Sequence, residues 1–136
     1  MFIRIETTSG VPITRQIADQ IRAQCASEML PPGGRLPSVR ALARDLAVNQ
    51  NTILRVYEHL TTEGLLERRH GDGTYVAQTL PPGQLKAQRR ILRQQAGRLV
   101  DKAATLRVAP RDIHELIDEA FGRLDRQRQQ SKGNQG

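Results

Sequence analysis

The sequence predicts a mainly α-helical chain that carries one small β-hairpin, and three observations lead there. Its 136 residues include no Trp, two Phe and two Tyr, so a core must be assembled from Leu, Ile, Val and Ala, which suits small helical packing. Apolar residues recur at helical spacing through most of the chain, whereas "LLERRHGDGTYVA", Leu65 to Ala77, reads as strand, turn and strand.

The elements follow in order. "FIRI" alternates apolar and charged residues and reads as a short strand. Pro12 stands where a helix can begin, and Ile13, Ile17, Ile21 and Cys25 give it one apolar face through about Ser27. "LPPGGRLP" stops it, with three prolines and two glycines in eight residues. Ser38 is an N-cap for a helix of about two turns bearing Val39, Leu42, Ala43 and Leu46. Asn49 caps the next helix, whose Ile53, Val56, Tyr57 and Leu60 fall at i, i+3, i+4 and i+7, and Gly64 ends it. Two helices separated by about three residues, with the second one longer, form a helix-turn-helix. The hairpin after it, with His70, Gly71, Asp72 and Gly73 at the tip, is a wing.

From Leu80 the pattern changes. "LPPG" signals a linker; then Leu85, Leu92, Leu99 and Leu106 stand seven apart, with Ala96 and Ala103 four residues after two of them. Ala109-Pro110 interrupts, and Ile113, Leu116, Ile117, Ala120, Phe121 and Leu124 mark a second amphipathic helix with Asp112 and Glu115 in its first turn. Neither stripe can be buried by its own helix, so pairing with each other and with a second copy is expected. The fold class is therefore mainly α with a small β wing: a winged helix-turn-helix domain over residues 1–79, a two-helix dimerisation hairpin over 80–128, and a flexible polar tail over 129–136. A leucine zipper is the rival for the heptad, but Arg89 interrupts the stripe and only about three heptads are present.

Charge narrows the partners. The net charge of +7 argues for a polyanion. It is unevenly placed: residues 1–79 hold nine Arg and eight acids (9 − 8 = +1), and residues 80–136 hold twelve basic groups and six acids (12 − 6 = +6). A nucleic-acid reading of the N-terminal domain must rest on where its arginines point. On a helical wheel, the side of the second motif helix opposite its apolar stripe carries Asn51, Leu54, Arg55 and Glu58, while Asn49 and Gln50 project from its start.

Other chemistries lack their signatures. The lone Cys25 excludes an internal disulfide, fits a reducing compartment and lies on an apolar helix face. His59, His70 and His114 have no metal-ligand spacing, and no phosphate-binding loop, nucleophile elbow or carboxylate pair occurs, so an enzyme, a metal and a cofactor are not expected. No apolar run approaches 18 residues and no signal peptide is present, which predicts a soluble cytoplasmic protein with no membrane partner.

The segments "LPPGGRLPSVRALA", "VNQNT" and "LTTEGLLERRHGDGTYV" resemble, in order and spacing, the DNA-binding domain of the GntR family of bacterial transcription regulators. The short two-helix remainder is similar to the YtrA-type subgroup, whose members carry a small C-terminal dimerisation segment. The resemblance implies that Arg40 touches DNA from the first motif helix. It places Asn49, Gln50, Asn51 and Thr52 at the start of the recognition helix, and His70, Gly71 and Gly73 at a wing tip in or beside the minor groove. Ser38, Arg55 and Arg69 complete the expected DNA-binding set. Many members carry Arg where this chain has Gln50 and Leu54, whereas the YtrA-type pattern favours the arginine that Arg55 supplies. Gln50 suits adenine N6 and N7, so the operator cannot be copied from a relative.

The blander alternatives are a solvated charge or an ion pair to Asp45 or Glu58 for Arg40 and Arg55, a simple cap for Asn49, and a loop residue for His70. The function expected is a homodimeric, sequence-specific regulator binding an inverted-repeat double-stranded DNA operator, an autoregulating repressor of a transport or envelope-stress operon as the subgroup implies. The alternative is an architectural module that uses the basic C-terminal helices on nucleic acid without sequence preference. About 55 residues after the wing cannot enclose a cavity of several hundred Å³ within one chain, so no small-molecule effector is assigned. The dimerisation residues expected are Leu85, Leu92, Leu99, Leu106, Ile113, Leu116, Ile117, Phe121 and Leu124.

Overall fold

A computed structural model describes residues 1–133. The order is α1 (Ile13–Ala26), α2 (Val39–Leu46), α3 (Gln50–Thr62), β1 (Leu66–Arg69), β2 (Gly73–Val76), α4 (Gln84–Thr105) and α5 (Pro110–Gly133). The chain divides into two compact units, one through Arg90 and one from Ile91.

In the first unit, α3 packs on both α1 and α2, and β1 pairs antiparallel with β2 in the register Leu66 to Val76 and Arg69 to Gly73. The stripes predicted for the helices meet in one core: Ile17, Ile21, Cys25, Ile53, Val56 and Leu60 are completely buried, joined by Leu66 and Val76 from the hairpin. Each such aliphatic side chain contributes about 1.5–3 kcal/mol by leaving water. Ile13 is an exception to the expected α1 face, since it lies in the first turn and is exposed.

Caps fix the helix boundaries. Ser38 Oγ accepts the Ala41 N–H at 3.1 Å, and Asn49 Oδ1 accepts the Asn51 N–H at 2.8 Å. Helix α2 ends on Ala47 in the left-handed conformation (φ 54°), which lets the Val48 N–H reach the Ala43 carbonyl at 2.9 Å. Helix α3 ends in the same way, with Gly64 at φ 83° and Leu65 N–H bonded to the Leu60 carbonyl. Arg22 then fastens α1 to the end of α3 by donating twice to Glu63, at 2.9 Å from both Nε and Nη2, and once to Asp19 at 2.7 Å.

The expected N-terminal strand is corrected. Residues 2–5 belong to neither strand of the sheet. Amide side chains of α1 hold this segment instead. Gln20 accepts the Arg4 N–H at 2.9 Å and donates to the Arg4 carbonyl at 2.7 Å; Gln16 does the same for Glu6, at 2.8 and 3.0 Å; Gln24 donates to the Phe2 carbonyl at 2.7 Å. One helix face thus offers donor and acceptor pairs every fourth residue, matching every second residue of the segment. Ile3 is thereby carried into the core.

In the second unit, α4 and α5 are joined by residues 106–109, with Arg107 left-handed (φ 57°) and Val108 N–H bonded to the Ala103 carbonyl. Burial of the two stripes is confined to Ala103 and Ile113, beside this turn. Where a polar tail was expected from 129, α5 continues through Gly133, in keeping with the helix preference of Gln129, Gln130 and Lys132. The rest of that tail, 134–136, lies outside the described residues.

Candidate nucleic-acid interface

Burial of one face of α3 decides what its other face can do. Ile53, Val56, Tyr57 and Leu60 are buried, and the Tyr57 hydroxyl donates to the Pro37 carbonyl at 2.8 Å, tying the middle of α3 to the residue before the α2 cap. The same burial pushes the Tyr57 phenol far above its ordinary pKa, so it stays neutral. With this stripe seated, the start of the helix faces outward: Asn49, Gln50, Asn51 and Arg55 are exposed and Thr52 and Leu54 half-buried. Asn49 spends its carbonyl oxygen on the cap and keeps its amide N–H groups.

Arg40, exposed in the first turn of α2, lines one open depression with Arg44, Ala47, Val48 and Gln50 at the helix-turn-helix bend. Among the described residues neither Arg40, Arg44 nor Arg55 forms an ion pair, so the salt bridges to Asp45 or Glu58 weighed as their alternative are not made. Two guanidinium groups, Arg40 and Arg44, thus stand beside Gln50 at the bend, and Arg55 and the amides of Asn49 and Asn51 are exposed along the start of α3. Fixed donors of this kind suit phosphate oxygens and base edges.

The wing is built around Tyr75. Arg69 stacks on its ring at 3.9 Å, Arg35 stands 5.9 Å from the ring centre, and the phenol donates to Asp72 Oδ2 at 2.8 Å. Arg35 also donates to the Asp72 carbonyl at 3.0 Å. Its own backbone is bridged to Tyr75, with Leu36 N–H bonded to the Thr74 carbonyl and Val76 N–H to that of Gly34. The loop after α1 thus lies along the free edge of β2. At the tip Gly71 has φ 74°, which favours glycine, and a Cβ on Gly73 would meet the Arg35 guanidinium at 3.4 Å. The tip leaves His70 exposed, while the Asp72 charge is answered by Arg35 and Tyr75.

The expected residues therefore fall in two groups, Ser38, Arg40, Asn49, Gln50, Asn51, Thr52 and Arg55 on the motif, and Arg69, His70, Gly71 and Gly73 on the wing. Arg35 and Tyr75 were not anticipated. "GGR" before "LP" carries no signal of its own, and only the bridge across β2 brings Arg35 to the tip. The expected dimerisation residues are, apart from the buried Ile113, all exposed; Leu92 is 65% and Phe121 61% exposed. Among the described residues no group of His, Cys, Asp and Glu is placed to hold a metal, and no helix is long and apolar enough to cross a membrane.

The family described as bacterial regulatory proteins, gntR family, matches residues 13–76, which is α1 to the end of β2. The HTH-type transcriptional repressor YtrA of Bacillus subtilis is 32% identical over 117 residues, 86% of this chain and 90% of its own. This chain belongs to the gntR family. Among solved structures, YtrA from Sulfolobus acidocaldarius, a GntR-family transcription factor, is 36% identical with a TM-score of 0.53, covering 69% of this chain and 97% of that one. The DNA-binding domain of AraR in complex with operator ORX1 shares the fold, with a TM-score of 0.50 at 22% identity over 57% of this chain and 96% of that one. As a GntR-family winged helix-turn-helix protein the chain is a DNA-binding transcription regulator and not an enzyme.

Proposed function

We propose that this GntR-family chain is a homodimeric repressor that acts in the cytoplasm on an inverted-repeat operator. Its two α3 helices enter successive major grooves and each wing lies in or beside a minor groove. The observation that carries this reading is the outward array of Gln50, Asn51 and Arg55 on α3 away from its buried stripe, with the unpaired Arg40 of α2 beside Gln50. Arg40, Arg55, Ser38 and Asn49 are assigned to phosphates, Gln50, Asn51 and Thr52 to base edges, and Arg69, His70 and the backbone at Gly71 and Gly73 to the wing contact. The exposed stripes of α4 and α5 support dimerisation, because a monomer seldom leaves so many large apolar side chains in water. Similarity to the YtrA repressor supports the sign of regulation; autoregulation of a transport or envelope-stress operon is proposed from the resemblance to its subgroup.

The test is selection of bound duplexes from a random pool at near-physiological salt, repeated with Gln50→Ala. A two-fold-symmetric site that relaxes at one base pair per half-site is the expected result. Recovery of no consensus would overturn the reading in favour of binding without sequence preference.

A further inference from the structure

The first turns of α4 carry a charge pattern that helix stability alone does not favour. From Gly73 to Val100 the sequence contains no Asp or Glu, yet it holds Lys86, Arg89, Arg90, Arg93 and Arg98. Lys86, Arg89 and Arg90, within the first compact unit, stand three and four residues apart and therefore share one face of the helix. All three are exposed, whereas Gln84 and Gln88, which project to the opposite side, are half-buried.

Like charges at this spacing repel by a few tenths of a kcal/mol per pair, and cations in the first turn oppose the helix dipole. Of the other arginines of this unit, three have acidic partners, whereas Arg40, Arg44 and Arg55 of the helix-turn-helix, like these cations, have none among the described residues. Arg15 and Arg22 pair with Asp19, Arg22 also with Glu63, and Arg35 with Asp72. Among the described residues, Lys86, Arg89 and Arg90 have no such partner. A solvated helix face ordinarily interleaves acids with its bases. A local rule broken without compensation inside the protein points to compensation from outside it.

We infer that Lys86, Arg89 and Arg90 are a second DNA-binding surface that neutralises backbone phosphates flanking the operator half-site; this rests on the operator reading above. Three observations make duplex phosphate the partner. The charges on the surface are all cationic, it offers no aromatic side chain to a base, with Leu85 alone at its border, and it belongs to the unit that carries the helix-turn-helix. Leu80 is packed against that unit's core. From there to Arg89 the chain spans at most about 20 Å, taking ~3.5 Å per extended residue and 1.5 Å per helical one. One duplex turn is about 34 Å, so phosphates just outside the half-site come within range. The surface adds affinity and salt dependence and reads no sequence.

The experiment uses two duplexes containing the selected site, one trimmed to the site and one extended by about ten base pairs on each side. Binding of the wild type and of the triple variant Lys86→Gln, Arg89→Gln, Arg90→Gln is followed against salt. On the long duplex the variant should lose affinity on the order of tenfold or more at near-physiological salt. Its slope of log K against log salt should fall by about 5, near 0.9 for each of six contacts in a dimer. On the trimmed duplex the two proteins should agree, and helicity and selected sequence should be unchanged.

Equal behaviour on both duplexes would overturn the inference and leave these cations as a solvated face. Equal losses on both would place them inside the half-site, which also overturns it. Retained DNA binding with lost binding to anionic phosphatidylglycerol vesicles would assign the surface to lipid instead. Failure of the operator reading is separately visible, because the wild type would then not prefer the selected site to a scrambled one.

Discussion

The two units of this chain handle the same kind of side chain in opposite ways. Between α1 and β2, Ile17, Ile21, Ile53, Val56 and Leu60 are entirely buried, and no buried side-chain polar atom among the described residues lacks a partner. Along α4, the turn after it and α5, Leu92, Leu99, Leu106, Leu116 and Phe121 recur and remain exposed. Periodicity alone therefore states that a face is apolar; whether the chain itself covers that face depends on how many elements are at hand. Three helices and a hairpin suffice for the first unit, and two helices do not suffice for the second. Comparable sequence signals thus describe a finished core in one place and an uncovered apolar face in the other.

The largest effect that would break this contrast is on assembly. Charging the exposed face with Leu92→Asp and Phe121→Asp should convert a two-chain species to one chain in sedimentation velocity. It should also weaken operator binding by about 10²–10⁴-fold through loss of the second recognition helix. A variant that stays two-chained would mean that these stripes are not the interface.

Paired truncations sharpen the contrast next. Leu60→Ala should cost about 2–5 kcal/mol in urea unfolding at every protein concentration, because the site is fully enclosed. Leu99→Ala should matter only as far as it shifts assembly, so its cost should change with protein concentration. Concentration-independent losses of similar size would show a stripe buried within one chain.

Smaller effects belong to the recognition face. Gln50→Ala should cost about 1–3 kcal/mol of base discrimination in competition binding and leave unfolding within about 0.5 kcal/mol of wild type. Asn49→Ala, in contrast, should lower stability by about 1 kcal/mol through the lost cap, whatever happens to DNA affinity.

The smallest effect concerns Cys25, whose thiol burial pushes up to about 11 from an ordinary 9.0. The protonated thiol is the form the fold favours, so its contribution is complete below pH 9 and fades as pH rises toward 11. Cys25→Ala should flatten that part of the stability profile, and the native thiol should resist alkylation at pH 8 until the protein is unfolded.

Most of the first unit was legible because local and tertiary signals agree there. Ser38 and Asn49 are caps in sequence and in structure, Gly64 ends α3, and the i, i+3, i+4, i+7 stripe from Ile53 is the stripe that is buried. The start of α3 could be singled out for the same reason, since whatever opposes a buried stripe must face water. The N-terminal segment was misread because "FIRI" alternates like a strand, while the partners that hold it are side chains of Gln16, Gln20 and Gln24, which no periodicity announces. Arg35 and Tyr75 were missed because they meet through the bridge across β2, between residues 40 positions apart (75 − 35 = 40). Ala47 gave no warning of a left-handed turn, a conformation more often assigned to glycine.

The glutamine rungs of α1 have a practical consequence. Amide protons of Arg4 and Glu6 are bonded to side chains of α1, so in hydrogen exchange they should be slower than those of an unpaired terminus. Inserting one residue between Ile5 and Glu6 would invert the alternation of everything before it and lift Ile3 out of the core.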